Sequence, residues 1–250
     1  MNSRKSKVIL ITGCSSGFGL LTAARLAAAG YRVFATMRDL NKKDELLKEV
    51  TKRGAKLEIL PLDVTKRDTV ELTVAEIISM VPRIDVLINN AGYGIGGCFE
   101  DLSEEDIRQQ MDTNFFGAQQ VCRAVIPIMR HQGGGRIINI SSVAGLYASP
   151  GFSAYNTSKW ALEAFSESLY FELKFFGIDV CLIEPGTYNT KIFHENARYA
   201  KNFDNPRSPY YLISSHLNER VQKYLKTCKR DPEDVARLVK KLIEMKNPPL

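Results

Sequence analysis

Short apolar runs alternate with longer amphipathic stretches along most of the chain. Runs such as KVILIT and DVLIN are apolar at consecutive positions, which is typical of parallel strands that are covered on both faces of a sheet. The longer stretches repeat their apolar side chains at helical spacing. The pattern predicts strands at 7–12, 32–36, 56–60, 86–89, 136–141 and 179–183, and helices near 17–29, 41–53, 66–81, 103–131 and 154–176.

This regular alternation predicts an α/β fold. A series of strands separated by helices folds as a doubly wound parallel sheet with right-handed crossovers and helices on both faces. The six predicted strands give a six-stranded sheet. A length of 250 residues fits one large domain over 1–250.

One stretch, 187–229, breaks the alternation. It is rich in Tyr and Phe and contains Pro206 and Pro209. A long irregular insertion in an α/β domain is commonly a functional lid, although it can also be a surface excursion. Helix start signals return at Asp231–Asp234, where a proline precedes two acidic residues. We therefore predict a substrate lid at about 187–229 within the single domain.

The composition indicates an ordinary globular protein. Hydrophobic residues make up 44% and charged residues 25% of the chain, and the formal net charge is +6. No block of like charges is present, which argues against a nucleic-acid partner. The apolar run near the N-terminus covers only Val8–Ile11, too short for a signal-peptide core. No stretch has the roughly 20 apolar residues of a membrane span.

Cysteine and histidine usage predicts neither disulfides nor a metal site. The cysteines number five, an odd count, and no C-x-x-C pair occurs. The three histidines have no ligand spacing. We expect reduced thiols and a cytoplasmic location.

A glycine-rich segment, ITGCSSGFG, follows the first predicted strand and opens the first predicted helix. Gly13, Gly17 and Gly19 lack a Cβ, so the backbone can turn tightly and approach a pyrophosphate. Amides at the start of the helix then face the anion. Ordinary strand-to-helix turns also need glycine, but this position in a Rossmann-like fold is where dinucleotides bind.

A tyrosine and a lysine share one face of the last long predicted helix. Tyr155 and Lys159 are four residues apart in SAYNTSKWALEAF, and such pairs are neighbours on a helix. An ammonium beside a phenol favours the phenolate and lowers its pKa from the ordinary value of about 10. The alternative is a buried tyrosine beside a lysine whose head reaches water.

The spacing G-x-x-x-G-x-G, preceded by Thr12, resembles the short-chain dehydrogenase/reductase family. Further motifs of that family follow in the family's order between residues 7 and 190. The segments TGCSSGFG and ATMRD are similar to the branch that holds 17β-hydroxysteroid and retinol dehydrogenases. The other motifs are LDV at 62–64, NNAG at 89–92, the asparagine of MDTNFFG, NISSVAG at 139–145, YNTSK at 155–159 and PGTYNT at 185–190.

The resemblance implies interconversion of a carbonyl and a secondary alcohol. Tyr155 would be the general acid, and Lys159 would supply the charge that lowers its pKa and would bond the nicotinamide ribose. The family spacing selects Ser142 rather than Ser141 to polarise the substrate oxygen. Asn114 would hold a water that links the lysine to solvent. The family's cofactor contacts fall on Gly13, Ser15, Ser16, Gly17, Phe18, Gly19, Asp63, Val64, Asn90, Ala91, Gly92, Tyr155, Lys159, Pro185, Gly186 and Thr190.

The end of the second strand implies a preference for NADP(H) over NAD(H). Family members that use NAD usually have an Asp where this chain has Met37. Arg38 follows, and its fork can grasp a 2′-phosphate. The alternative is a surface arginine paired with Asp39. Ser16 departs from the pattern, since many NADP-dependent members have Lys or Arg there.

Apolar side chains flank the expected substrate space, so we expect a hydrophobic carbonyl or alcohol, converted in the reductive direction. Each of them can instead be core. The sequence does not distinguish among steroid, retinoid, quinone and aromatic ketone substrates. The residues are Tyr93, Ile95, Leu146, Tyr147, Phe152, Tyr188, Ile192 and Phe193.

The family resemblance also implies assembly. The helices at 103–131 and 154–176 resemble those through which family members pair, so we expect a homodimer or homotetramer. Members of this length commonly add a seventh strand, whereas VKKLIEMKNPPL ends this chain in helix and prolines. The alternative function is a non-catalytic NADP(H)-binding regulator, a class that typically loses the tyrosine or the lysine. An epimerase of the extended relatives would need a larger C-terminal domain.

Overall fold

The computed structural model describes residues 6–190 and 197–250. Its main sheet contains six parallel strands in the order β3-β2-β1-β4-β6-β7, and two further short strands, β5 and β8, pair with each other. The α/β fold and the six-stranded sheet predicted from the sequence are confirmed. The strands are β1 (Val8–Ile11), β2 (Arg32–Met37), β3 (Glu58–Pro61), β4 (Val86–Asn89), β5 (Ile95–Gly96), β6 (Gly135–Ile140), β7 (Ile178–Ile183) and β8 (Arg198–Tyr199).

Helices cover both faces of the main sheet. Successive strand residues point to opposite faces, so Ile9 and Ile11 pack with α1, α2 and α8, whereas Val8 and Leu10 pack with α3, α5 and α6. This explains why the strands are apolar at consecutive positions. The helices are α1 (Gly17–Ala28), α2 (Asp44–Lys52), α3 (Arg67–Met80), α4 (Glu104–Met111), α5 (Gly117–His131), α6 (Ser153–Leu173), α7 (Tyr211–Thr227) and α8 (Glu233–Glu244).

Two predicted elements differ from the structure. The helix expected over 103–131 is interrupted by a wider π-helical turn at Asp112–Phe116, and such turns are frequent at functional sites. The stretch 187–229, expected to be irregular, contains the 17-residue helix α7. Ile213, Leu217, Val221 and Leu225 repeat at helical spacing within it, and Ser214 and Leu225 are its buried residues.

The short sheet connects the region after β7 to the region after β4. Ile95 pairs with Arg198 and Gly96 with Tyr199 in parallel register. The residue after β5, Gly97, forms an isolated parallel β-bridge with Phe152, which precedes α6. This three-segment contact brings the expected lid next to the N-terminus of α6.

Candidate active site

The carboxyl ends of four adjacent strands meet at one edge of the sheet. The glycine-rich loop follows β1, NNAG ends β4, Ser142 follows β6, and the Pro185–Thr190 segment follows β7. In open α/β sheets ligands bind at this edge. The motifs that are far apart in the sequence are therefore brought together.

Thr12 joins the glycine-rich loop to the end of β4. Its Oγ1 accepts hydrogen bonds from the main-chain N–H groups of Asn90 and Ala91, each at 3.0 Å. In return Asn90 Nδ2 donates to the carbonyl oxygens of Thr12 at 2.9 Å and Gly13 at 3.0 Å. Gly13 has φ +72°, and an added Cβ would lie 2.7 Å from the Cα of Ala91. Only glycine fits this turn.

The N-terminus of α1 fits a diphosphate. An added Cβ on Gly19 would overlap Asn90 Nδ2 and the carbonyl of Gly13, whereas the space beside Gly17 is open to 4 Å. The first turn of α1 contains no acidic side chain. Helix N–H groups and the helix dipole at such an end attract an anion. Ser15, Ser16 and Phe18 lie in this same loop and first turn, half-buried.

Asn114 lies in the π-helical turn and forms hydrogen bonds with the segment that follows NNAG. Its Oδ1 accepts from Tyr93 N at 3.1 Å, and its Nδ2 donates to Tyr93 O at 2.9 Å and Ser158 Oγ at 3.0 Å. One turn earlier, Gln110 accepts from Ile95 N at 2.9 Å and donates to Tyr93 O at 2.8 Å. Sequence reasoning missed Gln110 and Ser158, because nothing local distinguishes a buried glutamine or serine that bonds a distant segment.

Ser142, Tyr155 and Lys159 lie together where β6 ends and α6 begins. Ser142 Oγ accepts from Ala144 N at 3.1 Å. The pKa of Tyr155 is raised above its ordinary value, mainly by burial. Its hydrogen bond with Ser142 acts in the opposite direction and offsets only part of this rise. A phenol and a hydroxyl in contact can both bond one substrate oxygen. The arrangement can therefore polarise a carbonyl and deliver a proton to it.

Lys159 is buried, with 6% of its surface exposed. Its Nζ donates to the main-chain oxygen of Ile140 at 2.9 Å and lies 5.9 Å from the ring centroid of Tyr155. Burial lowers the pKa of Lys159 to about 8, against the attraction of Glu163. In this structure burial is the largest influence on the pKa of Tyr155, and the expectation that Lys159 lowers that pKa stays a prediction.

Several expected cofactor residues lie around the same edge. Asp63 is half-buried, and its Oδ1 accepts from Thr65 N at 3.0 Å and Thr65 Oγ1 at 2.8 Å. Val64 is buried against Gly117 at the start of α5. Of the other positions Gly92 is exposed, Pro185 is buried, and Gly186 and Thr190 are half-buried.

Arg38 is exposed just beyond the end of β2. The side chain before it, Met37, is 1% exposed and packs in the core, so it does not face a ribose. The carboxylate of Asp39 accepts from Asn41 N at 3.0 Å and caps a short turn. Within residues 6–190 and 197–250 no ion pair joins Arg38 to a carboxylate.

The residues expected around the substrate differ in their exposure. Leu146 and Tyr147 are 58% and 61% exposed in the loop after Ser142. Ile95 is core. Tyr93, Phe152 and Tyr188 are half-buried, and Ile192 and Phe193 lie outside the described residues.

The described part of the chain shows neither a metal-binding cluster nor a membrane-spanning helix. No group of three or more His, Cys, Asp or Glu residues there is arranged to hold a metal ion. No helix there combines the length and the apolar character needed to cross a membrane.

Comparison with known proteins agrees with the fold and the motifs. The profile of the family described as short chain dehydrogenase matches residues 7–200. The 3-ketodihydrosphingosine reductase of Bacteroides thetaiotaomicron is 39% identical over 97% of this chain and 86% of that protein. Human retinol dehydrogenase 8 is 36% identical over 98% of this chain and 80% of that protein.

Solved structures with either nicotinamide cofactor superpose on the chain. A short-chain dehydrogenase/reductase from Burkholderia phymatum in complex with NAD has a TM-score of 0.83 and 28% identity, covering 97% of this chain and 87% of that one. A metagenomic short-chain oxidoreductase in complex with NADP has a TM-score of 0.76 and 26% identity, covering 97% and 94%.

Proposed function

The chain belongs to the short-chain dehydrogenase/reductase family and is therefore an oxidoreductase acting on CH–OH and C=O groups, and we propose that it uses NADP(H) in preference to NAD(H). We propose further that it reduces a hydrophobic carbonyl compound to a secondary alcohol. The observation that carries the cofactor preference is Arg38, exposed beyond β2 with no carboxylate partner among the described residues.

The charge of Arg38 favours the cofactor with the extra phosphate. A 2′-phosphate brings about two negative charges, and hydrogen bonds between charged groups contribute roughly 1.5–3 kcal/mol. At about 1.4 kcal/mol per factor of ten, this gives NADPH an advantage of about ten- to a hundredfold. The carboxylate of Asp39 accepts from Asn41 N, and among the described residues it forms no ion pair with Arg38.

The catalytic groups have separate tasks. A bound nicotinamide cofactor supplies the hydride. Ser142 donates a hydrogen bond to the substrate oxygen, and Tyr155 gives that oxygen its proton. Lys159 has three N–H donors, of which Ile140 O takes one. The others are available to ribose hydroxyls.

Asn114 holds the geometry of this group. Ser158 Oγ, which accepts from Asn114, donates to the carbonyl of Tyr155 at 2.7 Å. The first turn of α6 is thereby tied to the π-helical turn. The proposed role of Asn114 in holding a water near Lys159 is compatible with these bonds.

A hydrophobic substrate is supported by the surface near the site. Leu146 and Tyr147 are 58% and 61% exposed in the loop that follows Ser142. The similar proteins from Bacteroides thetaiotaomicron and human carry names of sphingoid and retinoid enzymes. A cytoplasmic location is supported by the five cysteines, none of which forms a disulfide.

The test is the ratio of kcat/KM for NADPH and NADH, measured with a panel of steroid, retinoid, quinone and aromatic ketone substrates. NADPH is expected to be favoured by about tenfold or more. Arg38→Ala should remove most of this preference, and Lys42→Ala, an exposed cation in the next turn, should not. Equal kcat/KM values in the unmodified protein would refute the preference, and no turnover with any carbonyl would favour a non-catalytic NADP(H)-binding regulator.

A further inference from the structure

Arg230 lies against the segment that follows β7, although no sequence motif points to it. Its Nη1 is 2.5 Å from the point where a Cβ on Gly186 would stand, so the missing side chain of Gly186 makes room for the guanidinium. Its Cζ lies 5.9 Å from the ring centroid of Tyr188. Two residues earlier, Cys228 Sγ lies 3.6 Å from the carbonyl oxygen of Thr187. The 228–230 segment therefore runs along residues 186–188.

The same contacts continue to the N-terminus of α1. The ring of Tyr188 meets the ring of Phe18 edge-on, with centroids 5.3 Å apart and an interplanar angle of 88°. Phe18 is the second residue of α1, whose first turn fits a diphosphate. Arg230, Tyr188 and Phe18 thus form a continuous series that borders the anion site.

The guanidinium of Arg230 is available for an anion. It is exposed, and across residues 6–190 and 197–250 no carboxylate forms an ion pair with it. The acidic residues that follow have other partners. Glu233 is bonded by Arg25 and Arg53, and Asp231 and Asp234 by Arg237.

The backbone that leads from Arg230 into α8 is anchored at Glu233. Glu233 opens α8 and pairs with Arg25 Nη2 of α1 at 2.5 Å, and with Arg53. Because α1 carries both this ion pair and the anion-binding turn, the segment before α8 has a defined place relative to that turn.

We propose that Arg230 binds the diphosphate of the nicotinamide cofactor, opposite the N–H groups of α1. A guanidinium pairs with phosphate oxygens through two parallel hydrogen bonds. The inference rests on the proposed dinucleotide binding but not on the choice between NADP(H) and NAD(H), since both contain the diphosphate. Because α7 ends just before this segment, the contact also ties the expected lid to the bound cofactor.

The experiment is fluorescence titration of the purified protein with NADPH and NADH at two salt concentrations. Arg230→Ala is expected to raise both dissociation constants by a similar factor, about tenfold. It should also reduce their dependence on salt, because an ionic contact is lost. Arg230→Lys should restore part of the affinity, and Lys229→Ala, which removes the adjacent exposed cation, should change neither constant.

Fragments of the cofactor separate the two phosphate contacts. ADP-ribose, which has the diphosphate, should bind more weakly to Arg230→Ala, whereas 2′-AMP should bind unchanged. Loss of NADPH affinity alone would assign Arg230 to the 2′-phosphate and overturn the proposal. Unchanged affinities, or a loss with unchanged salt dependence, would reduce Arg230 to a support for Tyr188. An unmodified protein that binds both cofactors equally would contradict the NADP(H) preference without affecting this result.

Discussion

Lys159 donates a 2.9 Å hydrogen bond from Nζ to the main-chain oxygen of Ile140, at the carboxyl end of β6. The lysine is on α6, one turn after Tyr155, and is buried. The bond holds the ammonium at the end of β6, where burial separates it from water. Burial therefore lowers the pKa of Lys159 to about 8, and the carboxylate of Glu163 offsets only part of this effect.

The first prediction concerns Lys159→Met. Below pH 8 the folded protein carries a buried charge, and the fall in pKa from 10.5 corresponds to a cost of about 3 kcal/mol. Met removes that charge with similar bulk, so the variant should be inactive and up to about 3 kcal/mol more stable at pH 7. Urea denaturation of both proteins measures the difference.

The pH dependence of the free energy of unfolding tests whether the charge of Lys159 causes this difference in stability. Between pH 8 and 10.5 the folded state releases its proton from Lys159 while the unfolded state keeps it, so the unmodified protein gains stability as pH rises. The advantage of Lys159→Met should therefore shrink across this range. A constant difference from pH 7 to 10.5 would show that the charge of Lys159 is not the cause.

Tyr155→Phe should abolish turnover because the proton donor is lost, with a fall in kcat of at least about 10²–10⁴. Cofactor affinity should stay nearly unchanged. Single-turnover kinetics and cofactor titration measure the two effects. Tyr170→Phe is the matched control, since Tyr170 lies on the same helix but contacts Phe171 and Lys174 and not the catalytic group. Turnover that survives in Tyr155→Phe would refute the mechanism.

Gly19→Ala and Gly17→Ala should differ in stability. At Gly19 a Cβ would overlap Asn90 and the backbone of Gly13, so the loop must shift and folding should weaken by several kcal/mol. At Gly17 the space is open, and only its φ of +58° opposes a side chain, at about 1–2 kcal/mol. Denaturation measures both. An equal loss in the two variants would contradict the close approach of Gly19 to Asn90.

The lid prediction can be tested by hydrogen exchange. Helix α7 buries only Ser214 and Leu225, although Leu217 contacts Gly151 beside the short sheet. Segments with few buried apolar contacts open readily. Amides of α7 should exchange fast in the free protein and slow when cofactor and substrate bind. Slow exchange without ligand would identify α7 as a fixed wall of the site.

We also predict a dimer or tetramer. Apolar side chains remain exposed along α6 and the neighbouring π-helical turn, with Phe116 43%, Trp160 50% and Phe171 68% exposed. A shallow cavity of about 340 Å³ borders Phe116. Such patches mark association surfaces. Sedimentation at micromolar concentration should show multiples of 28.1 kDa, and Trp160→Glu should shift the distribution to the monomer. A single 28.1 kDa species in the unmodified protein would count against assembly.

The sequence by itself determined the six-stranded sheet, the glycine-rich turn and the shared face of Tyr155 and Lys159. These features depend on local periodicity and on side chains that are few residues apart, both of which are written directly in the order of residues. The absence of a Cβ at Gly13 and Gly19 likewise needs no tertiary information to indicate a close approach.

Only the tertiary structure decided what these groups touch. Asn114 is identifiable as a motif residue, but its bonds to Tyr93 and Ser158 exist because a π-helical turn faces two other segments. Lys159 is identifiable as the helical neighbour of Tyr155, but its bond to the main-chain oxygen of Ile140 exists because α6 packs beside the end of β6. Arg230 and Gly186 are far apart in the chain and meet where the segment before α8 runs along residues 186–188. Contacts of this kind join residues distant in the chain, and they depend on how whole elements pack, which no local pattern encodes.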